Sequence, residues 1–264
     1  MKKTFFAAAA LVAMVSCNKT LIETPESEFG YIDLGISADT EMITTKAEQT
    51  VNQSGSKYLL TLIRTDVPET KFENKEYGLL NPSVDLKVAA GTYTFSAQNI
   101  TATDAEKDYG ALRLYGEHAD LNVIAGGNTP ASIQCTPANA MVTVDVAANF
   151  GSTFKEYSIS LIDGNRDLAI TTLGHVDSDG KTVTKSFFNI ENGTLYWQVA
   201  AKVNNEAQFK YFKSTFTVEK GKHHKITLAP GTNGTISVTI TANDELTSID
   251  VPATVDPLTP VQSN

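Results

Sequence analysis

Cysteine, histidine and tryptophan are scarce in this chain: two, four and one among 264 residues. Two cysteines, Cys17 and Cys135, cannot build the disulfide framework that staples small secreted domains. The histidines, His118, His175, His223 and His224, show no metal-ligand spacing. The last two are adjacent, so on a strand they point to opposite faces and read as surface residues. Spacings for zinc hydrolases (HExxH), serine hydrolases (GxSxG), phosphate loops (GxxxxGKS/T), dinucleotide folds (GxGxxG) and redox pairs (CxxC) are all missing. No catalytic residue, metal site or cofactor is therefore assigned. Basic residues are also few. Twenty-one Lys and Arg against 30 Asp and Glu leave a net charge of -9, which argues against nucleic acid as a partner. Long apolar runs are missing too: the longest, Phe5 to Val15, has eleven residues, where a membrane-crossing helix needs about 20.

That short run has a different use. Lys2 and Lys3 precede it, so residues 1–16 read as an export signal. Met14-Val15-Ser16-Cys17 then resembles the lipobox of bacterial lipoproteins, in which the cysteine is acylated and becomes the new N-terminus. This predicts lipidation at Cys17 and attachment to the membrane through that lipid, with an outer-membrane lipoprotein of the cell envelope as the expected location. The competing reading is an ordinary cleaved signal with a chance cysteine. Glu23 is the first acidic residue after Cys17 and Lys19 comes earlier, so the membrane face stays open, periplasmic or surface. Residues 17–28 are polar and acidic and read as a tether. Cys135 is left as a free thiol. In "ASIQC" it alternates with polar residues, as a small hydrophobe on a buried strand does.

From residue 29 onward the pattern is β: runs such as 31–37, 58–63, 84–88, 92–97, 112–116, 141–146 and 157–162 alternate apolar and polar residues. Runs at 195–203, 212–218, 223–229 and 235–240 continue it. The landmarks occur twice. Tyr58 to Ile63 matches Tyr157 to Ile162, Gly91-Thr92-Tyr93 matches Gly193-Thr194-Leu195, and 121–133 matches 216–228 with Gly126 over Gly221. With a one-residue slip, Val142, Val144 and Val146 align with Ile236, Val238 and Ile240. Both glycines suit a turn that needs positive φ. The expected fold is all-β: two tandem antiparallel β-sandwich domains, immunoglobulin/transthyretin-like, over 29–137 and 138–243. Residues 244–264 carry three prolines and read as an extended tail that could pair along a sheet edge.

Few residues stand out as sites. Tyr196, Tyr211 and Phe212 are candidates for stacking on sugar rings. Trp197 shares a strand face with Leu195, Val199 and Ala201 and reads as core. Asp177, Asp179 and Gly180 resemble part of a calcium loop but lack its remaining ligands, so a turn explains them better. "ITTKAEQT" (43–50) follows the first strand as a polar linker in which a protease could reach Lys46. A plain surface loop is the competing reading.

The lipobox, "GYIDLGISADTEMITTKA", "VAAGTYTFSA" and the "VIAGG" turn together resemble a family of Bacteroides-type lipoproteins known only as a domain of unknown function. That family in turn resembles the fimbrillin-like adhesins, lipoproteins of two β-sandwich domains. The fimbrillin resemblance implies cleavage between Lys46 and Ala47, loss of the strand Tyr31 to Ser37, and entry of a strand from the next subunit. The basic residue here is Lys, where fimbrillins typically carry Arg. The expectation is a non-enzymatic, lipid-anchored envelope protein for adhesion or fimbria-like assembly, with other envelope or pilus subunits as partners. The alternatives are a surface glycan-binding lipoprotein, or an enzyme whose carboxylates meet only in space.

Overall fold

The computed structural model describes residues 28–38, 57–163, 167–170, 185–189, 192–242 and 245–251. Strands dominate. In the first half they are β1 (Phe29–Ala38), β2 (Leu59–Arg64), β3 (Glu69–Glu76), β4 (Lys87–Ala89), β5 (Gly91–Gln98), β6 (Leu114–Val123) and β7 (Asn128–Pro137). They form one sheet in the order β3-β2-β5-β6-β7-β1-β4. β6 and β7 exchange bridges only at Leu114/Pro137 and Tyr115/Thr136. Beyond that point the sheet folds over, and both of its arms face one core that includes Leu60, Leu62 and Phe95 from one arm and Ile32, Val88 and Ile133 from the other.

The second half has β8 (Ala140–Val146), β9 (Phe154–Ile162), β10 (Asp167–Ile170), β11 (Lys185–Phe188), β12 (Asn192–Val203), β13 (Lys210–Glu219), β14 (His223–Pro230), β15 (Ile236–Ala242) and β16 (Glu245–Val251). A four-stranded sheet, β10-β9-β12-β13, packs on a five-stranded one, β11-β8-β14-β15-β16. The core between them holds Trp197, Phe154, Phe188, Leu195 and Ile226. The all-β sandwich expected from the alternation is present in both halves.

The pairing shows how deep the duplication runs. β2 lies between β3 and β5, and β5 pairs with β6; β9 lies between β10 and β12, and β12 pairs with β13. β1 runs parallel to β7, with Ile36 opposite Ile133, and β8 runs parallel to β14, with Val146 opposite Leu228. β4 and β11 cover the other edges of β1 and β8. Strands β1 to β7 therefore repeat as β8 to β14, and β15 and β16 are additional. This corrects the sequence match in one place: β8 corresponds to β1, not to β15. It also places one parallel pair in each half, because the strand that opens a half lies beside the strand that closes it. Periodicity reports which face a residue takes, not strand direction.

Gly126 and Gly221 occupy the β6–β7 and β13–β14 turns with φ of 71° and 80°, a region that side chains rarely enter. β3 was not visible as a strand in the sequence. Its "ETKFENKE" is charged because it is an edge strand, where charge discourages pairing with other chains. The segment expected as the strand 84–88 instead begins with a four-residue helical turn, Pro82–Asp85, and only Lys87–Ala89 pair. Part of the expected tail, β16, pairs along the whole of β15. It ends at Val251, one residue before the first tail proline.

Candidate functional site

The two halves meet at Asn139, which is 2% exposed. Its Oδ1 accepts the Arg113 N–H at 3.2 Å, and its Nδ2 donates to the Ala111 carbonyl at 2.7 Å. The Asn139 carbonyl accepts the Gly221 N–H at 3.1 Å. Asn139 thus ties the loop before β6, through its side-chain amide, to the turn before β14, through its backbone carbonyl, and its buried polar atoms are satisfied. Met141 and Phe187 of the second half join the core of the first. A cavity beside Asn139, lined by Leu112, Met141, Phe187 and His223, measures about 10 Å³. That is room for roughly one water molecule, too small for a substrate.

The adjacent histidines point to opposite faces, as strand geometry requires, but neither is a surface residue. His224 is 2% exposed, and its Nε2 accepts the Glu219 N–H at 3.1 Å. His223 is half-buried, with its Nε2 2.9 Å from the Thr143 hydroxyl. His224 is covered by β13, its ring 6.2 Å from that of Phe216, while His223, on the other face, lines the small cavity with Leu112 and Pro137 of the first half. Burial lowers the pKa of each below the ordinary histidine value. Among the described residues, no cluster of three or more His, Cys, Asp or Glu side chains could hold a metal ion.

Cys135 lies fully buried on β7, its thiol 3.5 Å from the Ala97 carbonyl. Burial pushes its pKa up to about 11, so the thiolate is a negligible species at neutral pH. Cys17, Lys46 and Ala47 lie outside the described residues, as do His175, Asp177, Asp179 and Gly180.

The strand implicated by Lys46 is described in full. β1 is inserted between β7 and β4, pairing with β7 from Tyr31/Asn128 to Ala38/Cys135 and with β4 from Phe29/Ala89 to Tyr31/Lys87. Its inward side chains meet the core to a decreasing depth: Ile32 is part of it, and Leu34 and Ile36 pack against its margin. Only Gly30 and Ile32 are buried, and Asp33 to Ala38 alternate between half-buried and exposed. Gly30 is needed where it stands: a Cβ there would lie 2.3 Å from the Ile124 carbonyl oxygen. The Lys87 ammonium sits 5.6 Å from the Phe29 ring centre and 5.9 Å from that of Tyr31, a cation–π clamp at the start of the strand.

The three aromatic candidates divide between the two faces of the β10-β9-β12-β13 sheet. Tyr196 is 41% exposed on the outer face, and Tyr211 is half-buried on the same face, opposite Ala200. Phe212 is fully buried in the core, edge-on to Phe154 at 5.8 Å, and offers a ligand no surface. Trp197 is 1% exposed and lies in that same core. A ring that the sequence reading passed over is Phe209, 43% exposed, whose centre is 5.9 Å from the Lys202 ammonium. It sits in a loop, where alternation gives no signal.

An all-β protein with a duplicated, strand-capped sandwich is the class these features define. The chain belongs to the family described as Domain of unknown function (DUF4493), which matches residues 28–257. None of the curated proteins matches it. Among solved structures it is similar in fold to a candidate cell adhesion protein of Bacteroides eggerthii, with 14% identity over 84% of this chain and 97% of that one and a TM-score of 0.44. It is also similar to a fimbrial assembly protein of Parabacteroides distasonis, at 10% identity, 84% and 98% coverage and a TM-score of 0.44. The fimbrial anchor protein Mfa2 of Porphyromonas gingivalis is a third, at 12% identity, 82% and 98% coverage and a TM-score of 0.39.

Proposed function

We propose that this chain is a non-enzymatic, lipid-anchored cell-envelope protein that works in adhesion or fimbria-like assembly by exchanging its first strand. The observation that carries the reading is the placement of β1, held along its length by the ladder to β7 and, at Phe29 to Tyr31 alone, by β4 on its other edge. Main-chain ladders tolerate sequence change, so a strand from another subunit can occupy the same slot. Loss of β1 would leave β7 with an unpaired edge over buried Ala131, Ile133 and Cys135, a surface that seeks a replacement strand.

The lipid adds a consequence. Cys17 precedes Phe29 by twelve residues, a reach of roughly 40 Å when extended. Cleavage after Lys46 would then leave the body attached to its anchor only through the β1 ladder. Strand exchange and release from the membrane become one event.

The test is limited trypsin digestion of the acylated protein in vesicles, with a Lys46→Gln variant beside it. Cleavage at Lys46, release of the body into the supernatant and ladders of oligomers in unboiled gels are expected for the wild type alone. A wild-type body that stays intact and monomeric, or is released without forming ladders, overturns the strand-exchange reading. Failure of a Cys17→Ala variant to lose membrane attachment overturns the lipid anchor.

A further inference from the structure

The outer face of the β10-β9-β12-β13 sheet has a composition unlike the rest of this acidic chain. Alternation turns Trp197 and Val199 inward, and sends Tyr196, Gln198 and Ala200 of β12 outward. In register on β13, Thr215 lies opposite Tyr196, Lys213 opposite Gln198 and Tyr211 opposite Ala200. On the other side of β12, Ser160 lies opposite Gln198 and Ser158 opposite Ala200. The row ends at Lys202, beside the Phe209 ring. Three rings, Tyr196, Tyr211 and Phe209, are thus spread along six residues of strand, a length of about 20 Å.

Charge singles the face out. The chain carries a net charge of -9. Yet among the described residues of β9, β12 and β13 the outward carboxylates stand only at the two ends of the row, Glu156 held 3.4 Å from the Lys202 ammonium and Glu219 held 2.8 Å from that of Lys222. Among the described residues, Lys213 is exposed and has no carboxylate partner. Lys213 thus stands opposite Gln198, between Tyr196 and Tyr211 along the face and flanked by hydroxyl and amide groups, with no carboxylate within ion-pair distance among the described residues.

We infer that this face binds an acidic polysaccharide, a polymer bearing uronic-acid carboxylates. The rings supply apolar surface for the C–H faces of sugars, and the tyrosines add a polar tip. Ser, Thr and Gln side chains donate to and accept from sugar hydroxyls. Lys213 makes a charge-assisted hydrogen bond to a carboxylate. A peptide strand would add to the β13 edge and not to this face, because β12 at its centre is paired on both sides. The inference is independent of strand exchange, which concerns β1 in the other half.

The experiment is native affinity electrophoresis of the full chain in detergent through gels containing polygalacturonate, alginate, dextran or poly-L-glutamate. Retardation by polygalacturonate or alginate is expected, weakening as salt is raised. Dextran should leave mobility unchanged, and poly-L-glutamate should act about tenfold more weakly. Tyr196→Ala with Phe209→Ala should weaken retardation about tenfold, and Lys213→Glu should abolish it, with melting temperatures unchanged. Several results would overturn the inference: no retardation by either uronic polymer, equal retardation by dextran or poly-L-glutamate, or variants that run like wild type. Equal action of poly-L-glutamate would instead identify a site for acidic peptides.

Discussion

Gly30 of β1 passes so close to the carbonyl oxygen of Ile124, in the β6–β7 turn, that a Cβ on it would lie 2.3 Å away. The obstruction is backbone, which cannot swing aside as a flexible side chain would. Gly30→Val should therefore loosen β1 from its slot, at a cost of about 1–3 kcal/mol typical of overpacking. Urea melts should show a lower midpoint. Protection of β7 amides against hydrogen exchange should fall before that of β12. Unchanged β7 protection would mean that the strand is not held at this point.

Asn139 couples the halves through its side-chain bonds to Arg113 and Ala111 and its backbone bond to Gly221. Asn139→Leu should strand the Arg113 N–H and the Ala111 carbonyl in a half-buried setting. Each stranded group costs about 1–3 kcal/mol. Differential scanning calorimetry is expected to show a lower melting temperature and a broader transition as the halves begin to melt separately.

Stability should fall on mild acidification. Burial is the main cause of the lowered pKa of His224, and the neutral Nε2 accepts the Glu219 N–H. A group with a depressed folded pKa and a cationic acid form favours folding fully above its unfolded value. It withdraws that support as pH drops below about 6.5. His223 acts with the same sign, again through burial. Melting temperature measured from pH 7.5 to 5 should therefore decline, and the decline should be shallower in His224→Gln, which keeps an acceptor but cannot charge. Carboxylates held low by lysine, such as Asp85 beside Lys75, titrate at lower pH and leave this window clear.

Neighbours in sequence should differ sharply. Trp197→Ala empties a side chain that is 1% exposed and should cost about 3–5 kcal/mol. Tyr196→Ala, on the opposite face at 41% exposure, should change stability by about 0.5 kcal/mol or less. Chemical denaturation of the two variants side by side is the measurement.

Legibility followed face and periodicity. Trp197 and Tyr196 were separable from "TLYWQVAAKV" alone, because a two-residue period assigns faces without any partner strand. Gly126 and Gly221 were readable as turn residues for the same local reason, and both adopt positive φ. Phe212 misled as a sugar contact because it adjoins Tyr211, although adjacent strand residues face opposite ways. The two histidines read as surface residues because nothing local to "GKHHK" reveals that β13 packs over His224 or that Leu112 and Pro137 of the first half approach His223.

The sequence by itself determined an all-β chain, repeated once, with a lone buried thiol and turns where glycine is required. Each of these is a local consequence of side-chain alternation and backbone sterics. Only the tertiary structure decided that the opening strand of each half lies parallel to its closing strand, that Asn139 joins the halves, and that Tyr196, Tyr211 and Phe209 share a face around Lys213. Those relationships connect residues that are distant in the chain or carry no periodic mark. They exist only once the sheets have closed over their cores.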